Sequence, residues 1–278
     1  MGESKPIKNN VLNDLDTKEW VARLHSIQEY EWRIPKELKE HLKMGVLTPP
    51  TLAADIIRFF TNKGGQVFDP FAGEGGILVG AAMAGRLGAG CDLYAENRET
   101  AAKVGIHYGF QPPNGWGMVQ ADSQDWLRDL LKRGYAETQD LLFTDPPWGV
   151  DHGRTADKGG SVPFNMVNLG GEDKLDIGTG TWDDFYEYIG VVSDLATELL
   201  KPGAYALWWF GDRHRGGRYR VVGVEAQRFI EAGGLRLKGV QHYIQRPLNV
   251  RRNVFGWGKA FVPLVDHFSL YIYRKEPR

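Results

Sequence analysis

The run TDPPWG at positions 144–149 holds the residues best suited to chemistry. Two consecutive prolines fix two φ angles and remove two backbone donors. The proline that follows Asp145 also restricts Asp145 to extended conformations. Asp145, Pro146, Pro147 and Trp148 therefore form a stiff corner with an outward carboxylate, outward carbonyls and an aromatic platform. Such a corner offers only acceptors, whereas an exocyclic NH2 group is a donor. Asp145 Oδ and the Pro146 carbonyl can take its two hydrogens while Trp148 stacks on the ring. The plainer alternative is a rigid loop with a core tryptophan.

Three more loops carry acidic residues. DPFAGEGG (69–76) follows a strand and opens a helix, with Gly73 and Gly75 permitting a tight turn. It is neither GxGxxG nor a P-loop, since GK[ST] is missing. A carboxylate there repels phosphate but can hold an ammonium group or a ribose hydroxyl. Asp92 closes a strand about twenty residues on, where a ribose acceptor is expected. Asp122 either accepts from an adenine amino group or caps the following helix.

Period-2 and period-3.6 patterns place these loops. Strands are read at 66–71, 87–93, 116–122, 140–147, 204–212, 235–245 and 267–275. Helices are read at 75–86, 99–109, 123–134, 183–200 and 224–234. Strands separated by single helices predict an α/β, doubly wound, mostly parallel sheet. The last two strands have no helix between them, so an antiparallel pair is expected at the sheet's edge. In such sheets ligands bind beyond the carboxyl ends of the strands, where all four acidic loops lie. Residues 1–45 read as an N-terminal helical extension and 46–278 as the main domain. The glycine-rich stretch 149–180 reads as a long loop, a candidate lid or target-recognition element.

Bulk properties exclude several classes. The formal net charge is -1, so any nucleic-acid contact must use local basic clusters rather than a global field. One cysteine, Cys91, rules out an internal disulfide framework and a multi-Cys zinc site, and no metal is expected. The polar start MGESKPIKNN has no signal-peptide core, and no apolar run is long enough to span a bilayer. A cytoplasmic location is expected, with no membrane partner.

DPFAGEG and DPPW together resemble the cofactor and catalytic motifs of the class I, S-adenosylmethionine-dependent amino-methyltransferases of DNA, which modify adenine N6 or cytosine N4. MGVLTPPTLAADIIRFF (44–60) is similar to the segment preceding the cofactor motif in that family. KPGAYALWWFGDRH and HFSLYIYRK resemble its later junction and closing strand. The resemblance runs from about Met44 to Lys275. It implies a Rossmann-like methyltransferase fold with S-adenosylmethionine as cofactor. The cofactor would be held by Thr48, Pro49, Asp69, Pro70, Phe71, Ala72, Gly73, Gly75, Asp92, Leu93 and Asp122, and Asp145, Pro146, Pro147 and Trp148 would be catalytic. In the family, this order of motifs goes more often with Asn at the position of Asp145. Asp or Asn there goes with adenine, Ser with cytosine N4.

The resemblance implies direct methyl transfer to the amino nitrogen of a DNA base, adenine N6 first. Acceptors on the amino hydrogens localise a lone pair otherwise spread into the ring, and Asp145 stabilises the developing positive charge. In-line placement supplies the proximity effect. Cytosine-C5 chemistry, which needs a thiolate, is excluded, because Cys91 lies in a predicted strand. A base in a duplex must flip out to react. Arg213, Arg215, Arg218 and Arg220, with Arg251 and Arg252, are candidate contacts to the nucleic-acid backbone. The alternatives are cytosine-N4 methylation of DNA, guanine-N2 or adenine-N6 methylation of RNA, and a non-catalytic binding module. A restriction–modification setting is compatible with the DNA reading.

Overall fold

The computed structural model describes residues 10–30, 34–42, 47–148, 181–215, 218–245 and 267–276. In chain order its elements are α1 (Thr17–Arg23), β1 (Ile27–Tyr30), α2 (Lys36–Lys39), α3 (Pro50–Phe60), β2 (Gln66–Asp69), α4 (Gly76–Met83), β3 (Leu87–Asp92), α5 (Ala95–His107), β4 (Trp116–Gln120), α6 (Ser123–Lys132), β5 (Gln139–Thr144), α7 (Trp182–Leu199), β6 (Leu200–Phe210), β7 (Arg213–Arg215), β8 (Arg218–Arg220), α8 (Val222–Ala232), β9 (Leu235–Gln245) and β10 (His267–Lys275).

Eight strands form one sheet in the order β1-β9-β10-β6-β5-β2-β3-β4. β4, β3, β2, β5 and β6 run parallel, and β10 is antiparallel to both β6 and β9. The alternation read in the sequence becomes two faces. Val67, Leu141, Phe143, Leu207 and Trp209 pack on one side with α3 and α4. Phe68, Leu142, Ala206 and Trp208 pack on the other with α6, α7 and α8. Helix α4 is apolar all round, so it has no solvent face to offer and is buried. Its small residues admit close neighbours: a Cβ at Gly80 would lie 2.6 Å from Ala53 Cβ and 2.8 Å from the Pro50 carbonyl oxygen.

Two expectations need correction. The β9–β10 pair is not the sheet's edge, because β1 pairs in parallel with β9, Ile27 opposite His242 through Tyr30 opposite Gln245. Nor is the described part of 1–45 helical throughout, since α1 and α2 flank the extended β1. An extended IQEY satisfies a strand edge that a helix would leave bare. Within 34–42 the chain forms the short helix α2, opened by Pro35. The segment is bound to the domain: Leu15 and Trp20 join the core beside α3, Gln241 Nε2 donates to the Arg23 carbonyl (2.6 Å), and Asn13 donates to that of Phe59. Residues 149–180, Arg251 and Arg252 lie outside the described residues. No helix among the described residues is long and apolar enough to cross a membrane.

Candidate active site

The connection from β2 through α4 leads to β3 on one side, while β5 lies on the other side of β2. This is the point where strand order reverses, and a crevice opens there beyond the carboxyl ends of the strands. Asp69 ends β2, Asp92 ends β3, Asp122 follows β4 and Asp145 follows β5. The fold thus brings the four acidic loops to one end of the sheet.

The loop from Asp69 to Gly75 turns its donors inward. Phe71 N–H donates to Asp69 Oδ1 (2.9 Å), Ala72 N–H to the Cys91 carbonyl (2.9 Å) and Gly73 N–H to Asp92 Oδ2 (3.1 Å). Gly75 N–H donates to the Ala72 carbonyl (2.8 Å). A phosphate cradle needs those amides free, so this loop is not one. Gly73 and Gly75 adopt left-handed φ values of 50° and 82°. A Cβ at Gly75 would meet Ala101 Cβ at 2.5 Å, so this turn also sets how closely α4 approaches α5. Pro70 gives its carbonyl to Ser123 Oγ (2.5 Å) and Cys91 Sγ (3.3 Å).

Asp92 accepts Gly73 N–H on one oxygen and Tyr94 N–H (2.9 Å) and Asn97 Nδ2 (2.8 Å) on the other. Asp122 caps α6 through the amides of Gln124 and Asp125, and Tyr188 OH donates to its second oxygen (2.5 Å). The capping alternative is therefore realised in the structure, with a tyrosine added that the sequence did not point to.

Asp145 is held from both sides. Thr48 Oγ1 donates to Oδ2 (2.7 Å) and Trp148 Nε1 donates to Oδ1 (2.8 Å). Thr48 is buried, and its carbonyl oxygen would lie 2.0 Å from a Cβ at Gly76, so the Thr48–Pro49 segment rests on the first turn of α4. Trp148 is half-buried, 5.1 Å from Phe268, and a Cβ at Gly211 would meet its ring at 2.5 Å. The indole thus packs among protein groups and clamps Asp145. Arg213 Nε donates to the Trp148 carbonyl (3.0 Å).

Burial pushes Asp145 up to about 6, against the pull of the Thr48 and Trp148 hydrogen bonds. Burial also pushes Asp69 up to about 7, opposed by bonds from Thr144 Oγ1 and Phe71 N–H and reinforced by the charges of Asp145 and Asp92. Hydroxyls, amides and an indole N–H serve Asp69, Asp122 and Asp145; among the described residues no Lys or Arg pairs with them. A ligand with positive charge relieves this crowding, so the donor set fits a sulfonium and an ammonium group. Burial raises the Cys91 thiol far above its usual range, so it is no nucleophile. Among the described residues no cluster of His, Cys, Asp or Glu is placed to hold a metal ion.

The arginines of the basic hairpin also make contacts within the protein. Arg213 holds the turn that carries Asp145 and Trp148, and Arg220 is paired with Glu225 (2.5 Å) and lies 4.5 Å over the Trp182 ring. Arg218 is exposed, opposite Arg215 in the β7–β8 register. Sequence reasoning missed Tyr188, Thr144 and the Thr48 bond to Asp145. Partners 66 to 97 residues apart leave no local signal.

A family model described as DNA methylase matches residues 8–103, which include Thr48, the Asp69–Gly75 loop and Asp92 but end before Asp145. The chain is 29% identical over 110 residues to a tRNA (guanine(10)-N2)-dimethyltransferase of Methanothermobacter thermautotrophicus, covering 39% of this chain and 30% of that protein. It is 26% identical over 136 residues to the enzyme of the same name from Methanocaldococcus jannaschii, covering 48% and 36%. The matched region is thus about a third of the length of these curated relatives. A crystal structure described as a methyltransferase complexed with SAH superposes with a TM-score of 0.50 at 14% identity, over 76% of this chain and 45% of the other. That likeness is one of fold.

Proposed function

We propose that this chain, a class I amino-methyltransferase by its fold and by its matched segment, transfers a methyl group from S-adenosylmethionine to an exocyclic amino group of a nucleic-acid base. The observation that carries the proposal is Asp145, clamped by Thr48 and Trp148 at the reversal point of the sheet, beside a cup of carboxylates. The Asp69–Gly75 loop and the Thr48–Pro49 segment would hold the cofactor. Asp92, at the carboxyl end of β3, would face the ribose hydroxyls. When bound, the cofactor supplies an electrophilic methyl group on a sulfonium.

The protein's own contribution is positional and electrostatic. Asp145 keeps acceptor capacity on each oxygen beyond the two clamping bonds, and the Pro146 carbonyl lies in the same corner. Together they take the amino hydrogens, hold the nitrogen in line and stabilise the charge that grows on it. An unpaired or flipped base is required.

Adenine N6 in DNA is the first assignment, supported by Asp145 and the DNA methylase match. The second is guanine N2 in RNA, supported by the two tRNA-modifying relatives. The test is incubation with labelled cofactor and unmethylated genomic DNA or RNA, followed by nucleoside mass spectrometry. Asp145→Ala is expected to bind cofactor in calorimetry yet lose at least about a hundredfold in transfer rate. Transfer near the wild-type rate in that variant would overturn the assignment.

A further inference from the structure

A second concave site lies on the same rim of the molecule. Helices α7 and α8 start at the end of the sheet where the acidic loops lie, because each runs back antiparallel to the strands. Between their first turns is a cavity of about 250 Å³ lined by Trp182, Asp183, Tyr186, Arg220, Glu225 and Arg228. Pockets for drug-sized ligands run to about 300–1,000 Å³, so this smaller volume suits a single planar base.

Its chemistry is built rather than incidental. Arg220 lies over Trp182, 4.5 Å from the ring centroid, and is ion-paired to Glu225, which restrains its guanidinium. Tyr186 OH donates to the same Glu225 oxygen, Oε2 (2.9 Å), and the Tyr186 ring stacks on Phe229 at 5.6 Å. Glu225 Oε1 has no partner among the described residues. Arg228 lies over Phe229 at 4.6 Å with no carboxylate partner among the described residues. Two guanidiniums and two carboxylates make the cavity neutral. A phosphate would meet the carboxylates, whereas a base presenting acceptors on one edge and donors on another satisfies both signs.

The hairpin ties this cavity to the catalytic turn. Arg213, which donates to the Trp148 carbonyl, is the register partner of Arg220 across β7 and β8. Directly opposed residues in an antiparallel pair lie about 5 Å apart. Arg220 of the cavity and the arginine that touches the Asp145 turn are thus neighbours across one hairpin.

We propose that this cavity binds an unpaired guanine base adjacent to the target nucleotide. Arg228 faces the O6 and N7 acceptors, as arginine does in the commonest specific base contact. Glu225 Oε1 accepts from N1–H and the N2 amino group. The proposal rests on the nucleic-acid reading above, and its test is kept separate from methyl transfer.

The test is calorimetric titration of the full chain with GMP, IMP, AMP and CMP. GMP is expected to bind about tenfold or more tightly than the other three. IMP isolates the N2 amino group. Arg228→Ala and Glu225→Gln, each checked for an unchanged unfolding midpoint, are expected to weaken GMP binding by about tenfold and to abolish its preference over AMP. Equal binding of GMP and AMP by the wild type, or unchanged GMP affinity in both variants, would overturn the proposal. GMP selectivity that survives in Asp145→Ala supports the cavity as a site distinct from the catalytic one. Selectivity lost in Asp145→Ala but kept in both cavity variants assigns the guanine to the catalytic corner and overturns it.

Discussion

At the scale of single residues, the proposed chemistry rests on the carboxylate of Asp145, and its protonation is tunable. Only the ionised form carries the charge that stabilises a developing cation. Burial has raised its pKa to about 6, so the carboxylate is lost as pH falls through that value rather than near 4. The ratio kcat/KM for the cofactor, which reports the free enzyme, is expected to begin falling near pH 7 as Asp69 protonates and to fall more steeply below about pH 6 as Asp145 follows. In kcat the limb moves to lower pH, because a bound sulfonium favours the charged form. A profile of kcat/KM flat down to pH 5 would contradict this. Thr48 gives the matching test. Its hydroxyl bonds the charged Asp145, so Thr48→Val is expected to move the acidic limb to higher pH and to lower the plateau. Thr48→Ser is expected to restore both. A residue that merely fills space would give Val and Ser the same profile.

At the scale of elements, helix starts and glycine contacts set the site's dimensions. Asp122 serves two elements at once, capping α6 and receiving Tyr188 from α7. Asp122→Ala removes a cap worth about 1 kcal/mol, and leaves the Tyr188 hydroxyl without its acceptor. The expected result is a lower unfolding midpoint, with a smaller loss for Asp122→Asn, which retains an oxygen for the cap. Calorimetry with the cofactor then separates the two roles read for this residue. If Asp122 also contacts the adenine of the cofactor, affinity falls in Asp122→Ala by more than the stability change accounts for. Unchanged affinity would confine Asp122 to capping.

At the scale of the whole molecule, the sheet has edges at β1 and β4, and the N-terminal segment supplies the first of them, covering the side that β9 would otherwise present. Residues 10–30 contribute Leu15 and Trp20 to the core, Asp14 to the buried Arg86 (2.7 Å), and β1 to the edge of β9. Removing residues 1–30 is therefore expected to cost about 2–4 kcal/mol in lost apolar burial alone, and to lower the midpoint by several degrees. The uncovered edge of β9 is expected to promote self-association, measurable by light scattering. A truncated chain that stays monomeric with an unchanged midpoint would show that the segment is dispensable for folding.

Much of this was legible in the chain alone, because local patterns act over a few residues. Two prolines after Asp145 stiffen that corner whatever surrounds it, and apolar residues at period 2 put Val67 and Phe68 on opposite faces of any sheet they enter. The strand at 267–275 and the alternation of strands and helices from Gln66 onward follow from the same local rules. Tertiary structure alone decided the rest, since those facts depend on contacts between residues far apart in sequence. It put a strand at 27–30, where only the open side of β9 gives four extended residues a partner. It made Trp148 a clamp on Asp145 and packed its ring beside Gly211 and Phe268. It brought Thr48 across 97 residues to the carboxylate it orients, a hydrogen bond that no spacing rule encodes.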